Sequence, residues 1–160
     1  MAQSLDALNF LAASLLSLGL IVVCVAAFYE IMAHVWLALP RLEGRPRTQI
    51  LFTVIASFVG HSIAVWAFAL AYYMLVNQLG FGALTGHTDH NLLDYVYFSV
   101  VSYSSLGLGD VAPTGGLRLL VGVEAIIGLI LIGWTVTFTY IVTEKYLVHR
   151  REKHGRGRKQ

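Results

Sequence analysis

The chain has 160 residues, 57% of them hydrophobic and only 12% charged, against roughly a quarter charged in a typical soluble domain, which excludes a free-standing soluble protein. At about 20 apolar residues per bilayer crossing, this length holds three or four spans and no sizeable aqueous catalytic domain. The net charge of +2 says less than its placement. Arg41, Arg45 and Arg47 form one basic cluster, Lys145, Arg150, Arg151, Lys153, Arg156, Arg158 and Lys159 form another, and Arg118 is the only one of the eleven basic residues outside them. A single cysteine, Cys24, excludes an intrachain disulfide.

The first apolar stretch runs from about Leu8 to Phe28 and continues as helix to Leu39, where Pro40 and the RLEGRPR segment stop it by removing a backbone donor and adding charge. Residues 1–40 are therefore expected to form a first, peripheral transmembrane helix. A signal peptide is the competing reading, but such peptides begin with a basic region, and the first basic residue here is Arg41. Glu30 and His34, spaced i and i+4, share one helix face as an interfacial pair or as a functional one. A basic loop follows at 41–49. The second span, 50–76, is about 40 Å long at 1.5 Å per residue, enough to cross with tilt. His61 lies well inside it, with Ser57 and Ser62 close by. It reads either as a neutral imidazole bonded to a neighbouring helix or as an ionisable functional group.

Residues 77–91 (NQLGFGALTGHTDHN) are polar, 92–104 (LLDYVYFSVVSYS) apolar and aromatic, and 105–116 (SLGLGDVAPTGG) glycine-rich. The middle part is too short to span and long enough for a re-entrant helix. The glycine-rich part cannot lie against lipid, where each unpaired amide or carbonyl costs several kcal/mol, so it is buried in protein or lines water. An extracellular hairpin with a buried amphipathic helix is the plainer alternative. The third span is expected at 117–143, with a basic tail at 144–160. The positive-inside rule puts the 41–49 loop and the tail in the cytoplasm, so the N-terminus and the 77–116 segment face outward. Three spans satisfy both assignments at once. The outward segments carry Asp6, Asp89, Asp94 and Asp110, a negative potential that concentrates cations.

A short helix, a glycine-rich extended stretch, a polar turn and a full span are what is needed to point backbone carbonyls into a narrow ion path. Carbonyls replace a cation's hydration shell without adding formal charge. Gly107 and Gly109 allow alternate residues backbone angles closed to other residue types, so that successive carbonyls face one way, and Ser105 adds a hydroxyl at the inner end. The stretch YFSVVSYSSLGLGDVAPTGGLRLL resembles the pore loop of the tetrameric potassium-channel superfamily, whose usual filter reads TVGYGD followed by a proline. Ser105, Leu106, Gly107, Leu108, Gly109 and Asp110 fall on the six filter positions and Pro113 on the proline. The resemblance covers residues 92–143 and extends more loosely to the second span.

It implies an all-α membrane protein: three transmembrane helices plus a re-entrant pore helix and selectivity filter, assembled as a homotetramer. Within residues 50–143 it implies an outer helix 50–76, outer loop 77–91, pore helix 92–104, filter 105–110 and inner helix 117–143. The function implied is passive, potassium-selective conduction through the carbonyls of Ser105 to Gly109, with potassium ions in the filter, no other cofactor and no enzymatic activity. Leu108 replaces the family's tyrosine, whose hydroxyl braces the filter; the second pore loops of two-pore-domain potassium channels often resemble GLGD or GFGD. Weakly selective cation conduction and a non-conducting membrane subunit on the same scaffold are the alternatives.

Around the filter, Glu124 is expected to bond the back of the pore helix at Ser99 or Ser102, and Arg118 to meet an outer aspartate or lipid headgroups. At 100° per residue Glu124, Gly128, Ile132, Thr135, Thr139 and Thr143 share one stripe, which is assigned to the water-filled cavity, with helix packing through small residues as the other reading. Gly128 and Gly133 are candidate bending points of a gate. His87, Asp89 and His90 form a group that either binds zinc, senses pH or is simply solvated. The basic tail is a solvated, partly disordered anchor or a contact for anionic lipid, with no role in nucleic-acid binding. No span carries a regular arginine series, so no voltage sensor is expected.

Overall fold

The computed structural model describes the backbone of residues 2–42 and 45–156 and the side chains of residues 11–42 and 45–145. The side chains of Asp6 and of the tail cations Arg150, Arg151, Lys153, Arg156, Arg158 and Lys159 lie outside the described residues. The chain is an all-α membrane protein with three helices long and apolar enough to cross a bilayer. These are α1 (Ala2–Ala38), α2 (Pro46–Asn77) and α4 (Leu117–Arg156), with the short helix α3 (Leu92–Tyr103) between the last two.

Each boundary has a local cause. α1 gives way to a 3-10 turn at Leu39–Leu42, around Pro40. α2 starts earlier than its apolar run because Pro46 occupies the first turn, where its missing N–H costs nothing. The polar PRTQ turn is invisible to a count of apolar residues. α4 likewise continues beyond residue 143 to Arg156, so the tail is helical that far; its Lys, Arg and Glu residues are good helix formers, and no Gly interrupts them before Gly155. α3 begins with a capping box: the Asn91 side chain accepts from the Asp94 amide, and Asp94 caps in return. Asp94 Oδ2 also accepts from Thr88 Oγ1 at 3.1 Å and from the Asp89 amide at 2.7 Å. This carboxylate is thus spent on the entry to α3.

The 77–91 segment contains β1 (Leu84–Gly86), which pairs antiparallel with β2 (Val111–Pro113) in the register Leu84↔Pro113, Thr85↔Ala112 and Gly86↔Val111. This two-stranded ribbon ties the entry of α3 to the stretch leading into α4. The core runs along the seam of the long helices: Phe28 of α1, Phe68 and Tyr72 of α2, Tyr95 of α3, and Leu120 and Leu131 of α4 are essentially inaccessible. Phe28 sits 5.1 Å from the His61 ring and 5.8 Å from the Trp134 ring, so one α1 side chain touches both α2 and α4. In hydrocarbon such contacts hold helices by van der Waals packing, not by escape from water.

Candidate functional site: the glycine ribbon after the short helix

The stretch following α3 is held by its amides and open at its carbonyls. Ser104 caps the helix. The amide of Ser105 donates to the Ser102 carbonyl at 2.9 Å, and those of Leu106 and Gly107 donate to the Val101 carbonyl at 3.0 and 3.5 Å. Among the described residues, no donor reaches the carbonyls of residues 105–109. The backbone φ is positive at every second residue: 56° at Ser105, 56° at Gly107 and 81° at Gly109. Alternation of this kind turns consecutive peptide planes so that their carbonyls point to one side. The glycines are required by angle and not by space, since a Cβ at Gly107 or Gly109 would meet nothing within 4 Å. Ser105 adopts the same left-handed angle without being glycine, a feature its residue type does not announce. Leu106 and Leu108 are 64% and 59% exposed.

Two polar links hold the back of α3. Glu124, fully buried on α4, accepts from the Ser99 hydroxyl through Oε1 and from the Tyr72 hydroxyl through Oε2 at 2.5 Å. Ser99 also reaches the Val65 carbonyl at 2.9 Å. Three helices therefore meet at one carboxylate. One turn nearer the ribbon, His61 Nδ1 lies 2.8 Å from the Tyr103 hydroxyl and Nε2 lies 2.9 Å from Thr135 Oγ1, joining the same three helices again. Each ring nitrogen has one partner, as a buried imidazole requires. Ser57 and Ser62 instead bond back to Thr53 and Phe58 carbonyls along their own helix.

At the far end of the ribbon, the Tyr97 hydroxyl donates to Asp110 Oδ2 at 2.7 Å, and the Asp110 carbonyl accepts from the His87 amide at 3.0 Å. The Tyr97 bond, opposed in part by desolvation and aided by the backbone amides of Asp110 and Val111, holds the Asp110 carboxyl below its ordinary value. Asp110 is thus fixed from α3 on one side and from the β ribbon on the other.

Residues 60–145 match the family described as Ion channel. The chain belongs to the ion-channel family. The matched region begins within α2 and takes in α3, the glycine ribbon and most of α4, leaving α1 and the start of α2 outside it. No curated protein and no solved structure matches the chain. Membership agrees with the resemblance of the ribbon to the potassium-channel pore loop, and makes the chain a multi-pass membrane protein acting as a passive ion channel.

Within this channel several expected site residues lie elsewhere than their spacing implied. The α4 stripe turns inward. Glu124 is committed to Ser99 and Tyr72, and Ser102, though buried, is not its partner. Gly128 lies against the Tyr103 backbone, so closely that a Cβ would overlap the Tyr103 carbonyl. Thr135 is held by His61, Thr143 bonds the Thr139 carbonyl at 2.8 Å, and Thr139 Oγ1 is buried. Gly128 therefore packs against α3 and Thr135 is tied to α2, Thr135 and Thr139 being half-buried, while Ile132 is 37% exposed. At Gly128 and Thr135 the contacts are those of helix packing through small residues, since close helix approach needs small side chains. Gly133 has open space around it.

The outer histidines do not converge. No group of three His, Cys, Asp or Glu side chains able to hold a metal exists among the described residues. The Asp89 amide is drawn to Asp94, and His90 takes a φ of 58° in the turn. Arg118 is exposed, and among the described residues no aspartate lies within 4.0 Å of it. Glu30 and His34 do pair, at 4.0 Å, with both side chains largely exposed.

Proposed function

We propose that four copies of this chain assemble around one axis into a passive potassium channel whose filter is formed by the backbone carbonyls of Ser105, Leu106, Gly107, Leu108 and Gly109. The observation that supports this most directly is the alternation of left-handed φ at Ser105, Gly107 and Gly109, together with carbonyls left without donors. A dehydrating cation needs oxygens on all sides, and one ribbon supplies only one, so symmetric copies complete the ring. Potassium is the cargo. The exposed Leu106 and Leu108 side chains are then available to pack against neighbouring copies. In this reading Asp110 forms the mouth, Glu124 acts through Ser99 as a positioning residue behind the filter, and Ile132 faces the cavity. The basic loop and tail lie in the cytoplasm of a cell-membrane protein whose N-terminus is outside.

A weakly selective cation pore is the second reading, favoured by Leu108, which has no hydroxyl with which to brace the ribbon. The Tyr97 bond to Asp110 supplies a brace from a different residue, which favours the selective reading. The test is reconstitution of the purified chain alone into liposomes, with rubidium uptake and assembly mass measured on one preparation. Tetramers that take up rubidium are expected. Tetramers without uptake would assign the chain to a non-conducting subunit, and trimers or pairs would contradict the filter.

A further inference from the structure

The helix outside the matched region creates a surface that conduction does not use. Between α1 and α4, a cavity of about 360 Å³ is lined by Tyr29, Ala33, Trp36, Trp134 and Phe138 with their apolar neighbours. Trp36 meets Phe138 edge-on at 6.0 Å and Tyr29 meets Trp134 at 6.3 Å, so aromatic pairs bridge the two helices along it. At its basic end it continues into a second cavity of about 230 Å³, which shares Trp36 and adds Pro40, Gln49 and Lys145. Lys145 Nζ stands 4.0 Å over the Trp36 ring, and among the described residues no carboxylate lies within 4.0 Å of it. Arg41, next to Pro40, is exposed, as are Arg45 at the N-cap of α2 and Arg47 in its first turn. The result is an apolar slot with a cationic mouth.

We propose that this slot between α1 and α4 is a binding site for an anionic phospholipid, with an acyl chain along the aromatic cavity and the phosphodiester at Lys145. Charge decides the occupant. A second copy of the same surface would set cationic mouths against each other, which like charges disfavour, and a zwitterionic lipid brings its own ammonium into the cationic mouth, which offsets the attraction of its phosphate to Lys145. An anionic headgroup satisfies the ammonium while the chain fills the apolar length, as expected for basic pockets between membrane helices. The site gives α1 a role and is independent of ion selectivity.

The experiment is native mass spectrometry of the purified full chain with dioleoyl phosphatidylglycerol or dioleoyl phosphatidylcholine added, so the readout is retained lipid and not flux. Wild type is expected to retain phosphatidylglycerol preferentially. Lys145→Ala should cut that preference about fivefold, the effect of one cation near the headgroups. Ala33→Trp, which fills the slot while leaving every charge in place, should remove the bound lipid; Ala33→Leu gives a milder version should the larger side chain disturb folding. Retention unchanged by the Ala33 substitutions would mean that lipid merely adsorbs to surface charge, and would overturn the proposal. So would high-yield disulfide formation between copies carrying Leu37→Cys in phosphatidylglycerol membranes, since a second chain would then fill the slot.

Discussion

The two faces of the glycine ribbon are built on opposite terms. Behind it, the chain satisfies its own polar groups: one carboxylate ties α2, α3 and α4 together, and one imidazole ties them again nearer the ribbon. In front, the carbonyls of residues 105–109 meet no donor among the described residues, and both leucines stand exposed. A buried polar group without a partner is costly, so the contrast shows which side the single chain completes, and it supports the proposal that cations and other copies complete the other. The rear is cross-linked within the chain; under the proposed assembly, the front is one part of a ring.

The largest effect should come from the front. Gly107→Ala forces a side-chain-bearing residue into a left-handed angle, a strain of roughly 1–2 kcal/mol that rotating the peptide relieves. Rubidium uptake is expected to vanish while helix content and assembly survive, because space at this position is open. Retained uptake would mean that carbonyl direction does not matter. At the rear, Gly128→Ala drives a methyl into the Tyr103 carbonyl. It should lower the melting temperature and weaken uptake together, since α4 must move away from the helix that carries the ribbon. Melting followed by circular dichroism in detergent checks this, and an unchanged transition would show that α4 does not press on α3 there.

Removing the carboxylate should have a smaller, separable consequence. Glu124→Ala leaves the Tyr72 hydroxyl without its acceptor, at about 1–3 kcal/mol, while Ser99 keeps the Val65 carbonyl; Glu124→Gln retains an acceptor oxygen and should recover much of the loss. Equal destabilisation by both variants would point to charge, not hydrogen bonding, as what matters. The smallest effect belongs to the exposed end. With its pKa depressed, Asp110 favours the folded arrangement above its ordinary value of 3.8, and that contribution disappears as pH falls through the lower folded value. Tyr97→Phe removes the leading cause, so acid inhibition of uptake should begin at higher pH than in wild type; an unshifted acid limb would show that this bond does not set the Asp110 titration.

Sequence made the long apolar runs legible because bilayer thickness imposes a length on them. It made the ribbon legible because two spaced glycines before an aspartate have few other uses. Polar helix was another matter: the PRTQ turn of α2 and the extension of α4 to Arg156 carry no hydrophobic signal. The strands β1 and β2, three residues each, are too short to show alternation. The cap on α3 is readable in principle, since Asn91 and Asp94 stand three apart at the start of an apolar run, but the charge of Asp94 alone points equally to an outward-facing surface. The α4 stripe shows a deeper limit. Periodicity places Glu124, Gly128 and Thr135 on one face, yet nothing in the period says whether water or a helix lies opposite. The left-handed Ser105 left no trace in composition.

The most direct test is the bi-ionic reversal potential of the reconstituted channel, with potassium on one side of a planar bilayer and sodium on the other. Backbone carbonyls at filter spacing should discriminate the two ions more than tenfold, which displaces the reversal potential by more than about 59 mV toward potassium. A steady current that reverses near zero would contradict potassium selection by this ribbon.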